Sequence, residues 1–327
     1  MEHAAAQDGA AAPVGPQEAM GWVRADLEDL IARAWEVRRA RFGRDVAFCS
    51  IGAGKVGACS EDCKWCSQSA RHVTHVDRTV RRTDPQTLIA AARQAGGRGV
   101  GRFGIVNSGR EPMETDLAAV EAVAGGLNGG DVELCASLGR IDAATAARLR
   151  AAGVRRYHHN LETSRRFYGR MVSTHTWDDR LAALKAARQG GLSLCSGGLF
   201  GLGETWADRI DLAIALRDEV RPDAVPLNFL HPIPGTPLAD APRLTPAECL
   251  RIIAVFRLLM PDVDLKVAGG REANLRDLQS WIFHAGATSV MVGDYLTTRG
   301  RGIDADLQMV TDLNLRLVGG FGQEAAP

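Results

Sequence analysis

"VAFCSIGAGKVGACSEDCKWCSQS", Val46 to Ser69, joins an apolar strand signal to a loop carrying three cysteines. The opening "VAFCS" (46–50) is apolar, aromatic in part and followed by glycines, so it reads as a buried strand. Cys59, Cys63 and Cys66 then fall within eight residues of a chain with seven cysteines in all. Working outward, seven more strand signals follow: "VGRFGIV" (100–106), "VELCAS" (132–137), "VRRYHH" (154–159), "LSLCSG" (192–197), "AVPLNF" (224–229), "VDLKVA" (263–268) and "TSVMV" (288–292). Segments of helical apolar spacing separate them, such as "PQTLIAAARQAGG" and "PAECLRIIAVFRLLMP", several ending at Gly or Pro. Eight strands alternating with helices over about 250 residues is the α/β pattern of a (β/α)8 TIM-type barrel. An open doubly wound sheet usually has fewer strands and a glycine-rich first turn leading into a helix. Here the glycine-rich "GAGKVGAC" (52–59) leads into the cysteines instead.

The chain has 327 residues, 46% hydrophobic and 24% charged, the balance of a globular protein. Lys plus Arg equals Asp plus Glu at 39 each, so no global field favours nucleic acid or an anionic membrane. No apolar run approaches the roughly 18 residues that a membrane helix needs. "MEHAAAQDGAAAPVGPQEAM" has neither a basic start nor an apolar core, and reads as a disordered tail over residues 1–20. "MGWVRADLEDLIARAWEVRRARFG" reads as an N-terminal helical extension, with capping helices at 21–45, the barrel at 46–316 and a C-terminal tail at 317–327. An odd, clustered set of cysteines without a signal peptide points to a reducing compartment, the cytoplasm, and to a metal or redox role.

In a barrel, the loop after the first strand lies at the C-terminal face, where active sites form. Three readings of its cysteines compete. Buried structural thiols fit poorly beside Ser60, Glu61, Asp62 and Lys64. Structural zinc wants four ligands, which His72 or His75 could complete. A cubane iron–sulfur cluster on three thiolates leaves one iron open to a substrate or cofactor. Spacing alone does not separate the last two. At the end of the fourth strand signal, Asn160 and Glu162 stand two apart, on one side of an extended segment. An amide and a carboxylate there suit ribose hydroxyls, or simply cap a loop.

Cys-x3-Cys-x2-Cys with Trp65 before the last cysteine resembles the signature of the radical S-adenosylmethionine (SAM) enzymes. The fuller "GACSEDCKWCSQS" resembles the biotin synthase family, and "YHHNLETS" (157–164), "LCSGGLFGLGET" (194–205), "VPLNFLHPIPGTPL" (225–238) and "AGGRE" (268–272) agree with it. The similarity runs from about residue 25 to 315. It implies a barrel of the radical SAM kind, with Cys59, Cys63 and Cys66 holding a 4Fe-4S cluster whose open iron takes the amine and carboxylate of SAM. It implies SAM contacts from Trp65, Asn160, Glu162 and the backbone near Leu199, and substrate contacts from Asn160, Asn228, Thr297 and Thr298. The implied reaction converts dethiobiotin to biotin. A flavodoxin- or ferredoxin-type donor reduces the cluster, SAM yields a 5′-deoxyadenosyl radical, and sulfide comes from an auxiliary cluster. A homodimer is implied as well. No side chain is assigned a catalytic role, because the cofactors carry the chemistry.

The pattern departs from the family at several positions. Glu162 replaces an Asp, and His158 stands where Asn is usual; neither His158 nor His159 is given a role. The family's auxiliary 2Fe-2S cluster has three cysteines and an arginine. Here the second-strand cysteine is Gly104 and the seventh-strand arginine is Lys266, whose ammonium ligates iron only after losing its proton. Cys135 and Cys195 remain, in the third and fifth strand signals, and would otherwise read as core thiols. Cys49, in the first, is expected to replace the missing ligand, since alternate strands of a barrel contribute to one interior layer. Three thiolates suit a four-iron cluster more naturally than a two-iron one, so both nuclearities stay open. Cys249 reads as structural. The rival reading is a sister radical SAM enzyme, of the methylornithine synthase or hydrogenase-maturation kind, without sulfur insertion.

Overall fold

The computed structural model describes residues 13–127 and 132–321. Eight strands form its centre: β1 (Asp45–Val56), β2 (Arg102–Asn107), β3 (Glu133–Ser137), β4 (Arg156–His158), β5 (Ser193–Cys195), β6 (Ala224–Phe229), β7 (Asp264–Val267) and β8 (Ser289–Met291). They pair in parallel in this order, and β8 returns to β1 at Ala47↔Ser289, closing a barrel. Each strand coincides with one of the eight apolar signals. Helices Pro85–Gly96, Glu114–Gly126, Ala143–Ala152, Trp177–Gln189, Trp206–Ala215, Pro246–Leu259 and Ile303–Asp312 alternate with the strands. Their starts are set locally: Asp84, Asp142, Thr176, Thr205 and Thr245 each accept a hydrogen bond from a first-turn N–H. Strands covered on the outside by helices read as continuous apolar runs, which is why sequence alone located them.

Three local features differ from the expectation. β1 runs to Val56, through the glycine-rich stretch. A Cβ at Gly52 would lie 2.6 Å from the Phe103 ring, and one at Gly54 2.4 Å from Asn107 Oδ1. The glycines thus let β1 continue flush against β2. After β5 the chain steps sideways and resumes as Gly198–Phe200 along β6. The first helix begins at Pro16, inside the expected tail, because proline is pre-set for the first helical turn and Ala19 buries there. At the other end, Arg316–Val318 pairs beside the start of β1, so residue 317 opens within a strand and not a tail. The remaining tail expectations, at residues 1–12 and 322–327, lie outside the described residues. Helix Leu27–Phe42 packs on Pro246–Leu259, and its fully buried Arg38 donates to the backbone oxygens of Gly43, Asp45 and Ala287. Among the described residues no helix is long and apolar enough to cross a membrane.

Candidate active site

Past β1, positive φ at Gly57 and Ala58 turns the chain into the cysteine loop. The loop then closes on itself: Cys59 N donates to Gln68 O (3.0 Å) and Ala70 N to Cys59 O (2.8 Å). Its acidic residues anchor it. The Asp62 carboxylate accepts from the Ser173 hydroxyl and N (2.9 Å) and from Thr174 Oγ1 (3.0 Å) and N (3.2 Å), and these bonds outweigh burial and hold it well below the usual carboxylate range. Glu61 accepts from Thr174 Oγ1 (2.6 Å) and pairs with His175. All three cysteines open onto one cavity of about 200 Å³. Burial pushes the Cys63 thiol up, and the Cys66 thiol up to about 11, so metal must displace protons there.

The zinc reading finds no support in this arrangement. His72 Nδ1 donates to Cys66 O (2.9 Å), His75 Nε2 donates to Thr297 O (3.1 Å), and neither ring lines the cysteine cavity. Among the described residues no three His, Cys, Asp or Glu side chains gather as a single-ion site. Three thiols lining one cavity are a donor set that could hold an iron–sulfur cluster.

Trp65, Cys66, Gln68, His158, Asn160 and Glu162 line both this cavity and a larger one of about 370 Å³ inside the barrel. The backbone is not extended through Glu162, as its spacing from Asn160 had suggested; it turns at φ 71°. Both side chains nevertheless reach the junction. Asn160 Oδ1 accepts from Gly197 N (3.1 Å) and its Nδ2 donates to Glu162 Oε2 (3.3 Å). Behind them lies Arg180, which sequence reasoning missed. Its Nη1 donates to Asn160 O (2.8 Å), its Nε to Tyr168 OH (2.6 Å), and it stands 3.6 Å from Glu162. Tyr168 OH in turn meets His175 Nε2 at 2.8 Å, completing a chain back to Glu61. Burial lifts the Glu162 pKa, against the opposing pull of Arg180, His158 and Asn160.

Leu199, Asn228, Thr297 and Thr298 all line the larger cavity. Asn228 Oδ1 accepts from Gly269 N (2.9 Å) and Nδ2 donates to Gly198 O (3.1 Å), which leaves one Nδ2 hydrogen. Thr297 Oγ1 meets Ser67 Oγ at 3.1 Å, joining the loop after β8 to the cysteine loop. Tyr295, also missed, lines the cavity while its hydroxyl lies against Glu272 and Ala268 O.

At the inner end of this cavity the odd-numbered strands converge. Cys49 from β1, Cys135 from β3, Cys195 from β5 and Lys266 from β7 all line it, as does Gly104. Arg102 and Arg156 join them; a charge inside a buried strand signal was the available clue to both. Burial raises the Cys49 thiol, and raises Cys135 to about 12. Burial would raise Cys195 too, but Lys266, His158 and Arg156 bring it down to about 7. Burial works against the Lys266 ammonium, yet Cys49, Cys195 and Asp264 outweigh it and raise its pKa. Cys249 is fully buried in helix Pro246–Leu259, away from both cavities.

Residues 55–216 match the Radical SAM superfamily, and residues 226–316 match the Biotin and Thiamin Synthesis associated domain. The chain is 47% identical to the biotin synthase of Trichlorobacter lovleyi, covering 89% of this chain and 87% of the relative. It is 45% identical to that of Geobacter sulfurreducens, covering 89% and 88%. Among solved structures, methylornithine synthase (PylB) superposes with a TM-score of 0.80 at 20% identity, covering 93% of this chain and 94% of that one. The hydrogenase maturase HydG of Carboxydothermus hydrogenoformans gives 0.77 at 16%, covering 93% and 75%; both likenesses concern the fold. With a three-cysteine loop at the mouth of a closed eight-stranded barrel and this identity along most of its length, the chain belongs to the biotin synthase family of radical SAM enzymes.

Proposed function

We propose that the chain converts dethiobiotin to biotin. The observation that carries this reading is one continuous site, with three cysteines at the barrel mouth and three more, Cys49, Cys135 and Cys195, lining its inner end. Cys59, Cys63 and Cys66 would hold a 4Fe-4S cluster, and Cys49, Cys135 and Cys195 an auxiliary cluster, for which three thiolates favour four irons over two. Bound together, these clusters and SAM supply a carbon radical able to take hydrogen from an unactivated C–H bond, and sulfide to replace that hydrogen. Asn160 and Glu162 hold the ribose of SAM, Trp65 walls it, and the backbone at Leu199 lies against its adenine. Asn160 and Asn228 offer amide hydrogens to the ureido group of dethiobiotin, and Thr297 and Thr298 meet its carboxylate at the mouth. The barrel wall keeps water out and holds the reacting carbon near the radical source. Lys266, whose charged form is favoured by the flanking thiols and Asp264, would serve as counter-charge to the inner thiolates in preference to acting as a ligand. A flavodoxin- or ferredoxin-type donor, a homodimer, a cytoplasmic location and a barrel unit spanning residues 46–316 belong to the same reading.

The experiment is an anaerobic reconstitution followed by incubation with dethiobiotin, SAM and a reductant, combined with iron and sulfide analysis. Biotin should form, and iron should exceed that of a single four-iron cluster. 5′-Deoxyadenosine without biotin would favour a sister enzyme on the same barrel, against which the three interior cysteines speak. A colourless, zinc-rich anaerobic preparation would end the radical SAM reading.

A further inference from the structure

The proposed function leaves His158 without a task, although its position is unusual. It ends β4 opposite Cys195 in the β4–β5 register, and its imidazole lines both cavities. Its Nδ1 lies 3.4 Å from Cys195 Sγ. The neighbouring His159 N donates to Cys195 O (3.0 Å), so β4 grips this cysteine by its backbone as well as by its sulfur. Two residues further on, Asn160 faces the SAM side of the same junction.

Resting on that proposed function, we propose that His158 is a positioning residue for the auxiliary cluster, donating a hydrogen bond from Nδ1–H to the sulfur of Cys195. An iron-bound thiolate carries no proton, so once Cys195 ligates, the ring N–H is the one donor this pair can have. The bond fixes the imidazole tautomer and aims the sulfur into the cavity. A donor bond to a ligand sulfur also draws charge away from it and makes the metal group easier to reduce. A cluster held at Cys195 would supply sulfide and take up an electron, and the donor bond from His158 would favour that uptake. His158 thereby links the strand end that holds SAM to the ligand field of the sulfur source.

The test uses the fully reconstituted protein with His158→Leu, which removes the donor, and His158→Asn, whose amide places an N–H near the position of Nδ1. Redox titration followed by EPR and Mössbauer spectra reads both clusters separately, the outer one serving as internal standard. In His158→Leu the auxiliary midpoint should move to more negative potential while the outer cluster stays put, and His158→Asn should return towards wild type. An auxiliary midpoint in His158→Leu equal to wild type overturns the proposal. So does a directly coordinated imidazole nitrogen in the wild-type spectrum, which would make His158 a ligand. If both variants load the outer cluster but not the inner, the role is again overturned, because the Asn variant keeps the donor. A wild-type protein with no second cluster refutes the proposed function itself, an outcome visible before any variant is made.

Discussion

Replacing Arg180 by methionine keeps a long apolar stem and removes a buried guanidinium that touches three groups at the junction of the two cavities, where SAM is proposed to bind. Asn160 O loses its 2.8 Å donor, Tyr168 OH loses a 2.6 Å donor, and Glu162 loses its cation at 3.6 Å. The Asn160 carbonyl then loses its anchor, so the backbone carrying this side chain, itself still held by Gly197 N, can shift relative to Glu162. A hydrogen bond to a charged group contributes about 1.5–3 kcal/mol. At about 1.4 kcal/mol per tenfold, losing the one that positions the ribose contacts should weaken SAM binding by roughly 10- to 140-fold. Glu162 adds a second effect, for its pKa is already lifted by burial and Arg180 leads the opposing influences. Without the arginine its pKa shifts further upward, which favours the protonated form that donates where an acceptor was built. Glu162→Gln should therefore weaken binding less in the Arg180→Met background than in wild type, because the two residues act as one unit. The assay is a SAM titration of the reduced, reconstituted protein, read from the EPR change of the outer cluster, with iron content measured on the same samples. Arg180 also faces Cys63, so iron content separates loss of the cluster from loss of SAM affinity. A Kd within about threefold of wild type, well under one tenfold step, with iron unchanged, would refute the assignment of Asn160 and Glu162 to the ribose.

Cys49→Ala should abolish the auxiliary Mössbauer signal and biotin formation while 5′-deoxyadenosine still appears; an unchanged auxiliary signal removes Cys49 from the ligand set. Gly104→Cys should fold normally, since a Cβ there meets Ile51 at 3.4 Å and Cys135 at 3.9 Å, ordinary contacts. The new thiol reaches the inner cavity, so the auxiliary spectrum should change, and a spectrum identical to wild type would mean the cluster lies elsewhere. Lys266→Met should still load auxiliary iron if the ammonium is a counter-charge; loss of iron equivalent to a missing ligand would restore Lys266 to the ligand set. Gly235→Ala places a Cβ 1.8 Å from Val73 O at a φ of 86°, so it should part the loop after β6 from the cysteine loop. A raised KM for dethiobiotin with kcat little changed is expected, and an unaltered KM would show that this contact does not shape the mouth.

The covalent spacing of Cys59, Cys63 and Cys66 was enough to mark a metal-binding loop, because ligands within one short loop need no distant partner to come together, and the resemblance of the surrounding motifs then pointed to a cluster and not to zinc. The eight strands were equally plain, since each is an apolar run that helices cover, and the helix starts carried their own capping residues. None of that local information says which side chains meet. Cys49, Cys135, Cys195 and Lys266 are far apart in the chain, and they share a cavity because β8 pairs back on β1 and the pleat turns the same parity of each odd strand inward. Arg180, Tyr168 and His175 left no mark in the sequence beyond ordinary surface-helix and loop residues; packing brought them behind Asn160. Sequence settled the chemistry that one loop can hold, while barrel closure, a long-range condition on register, decided which distant groups surround it.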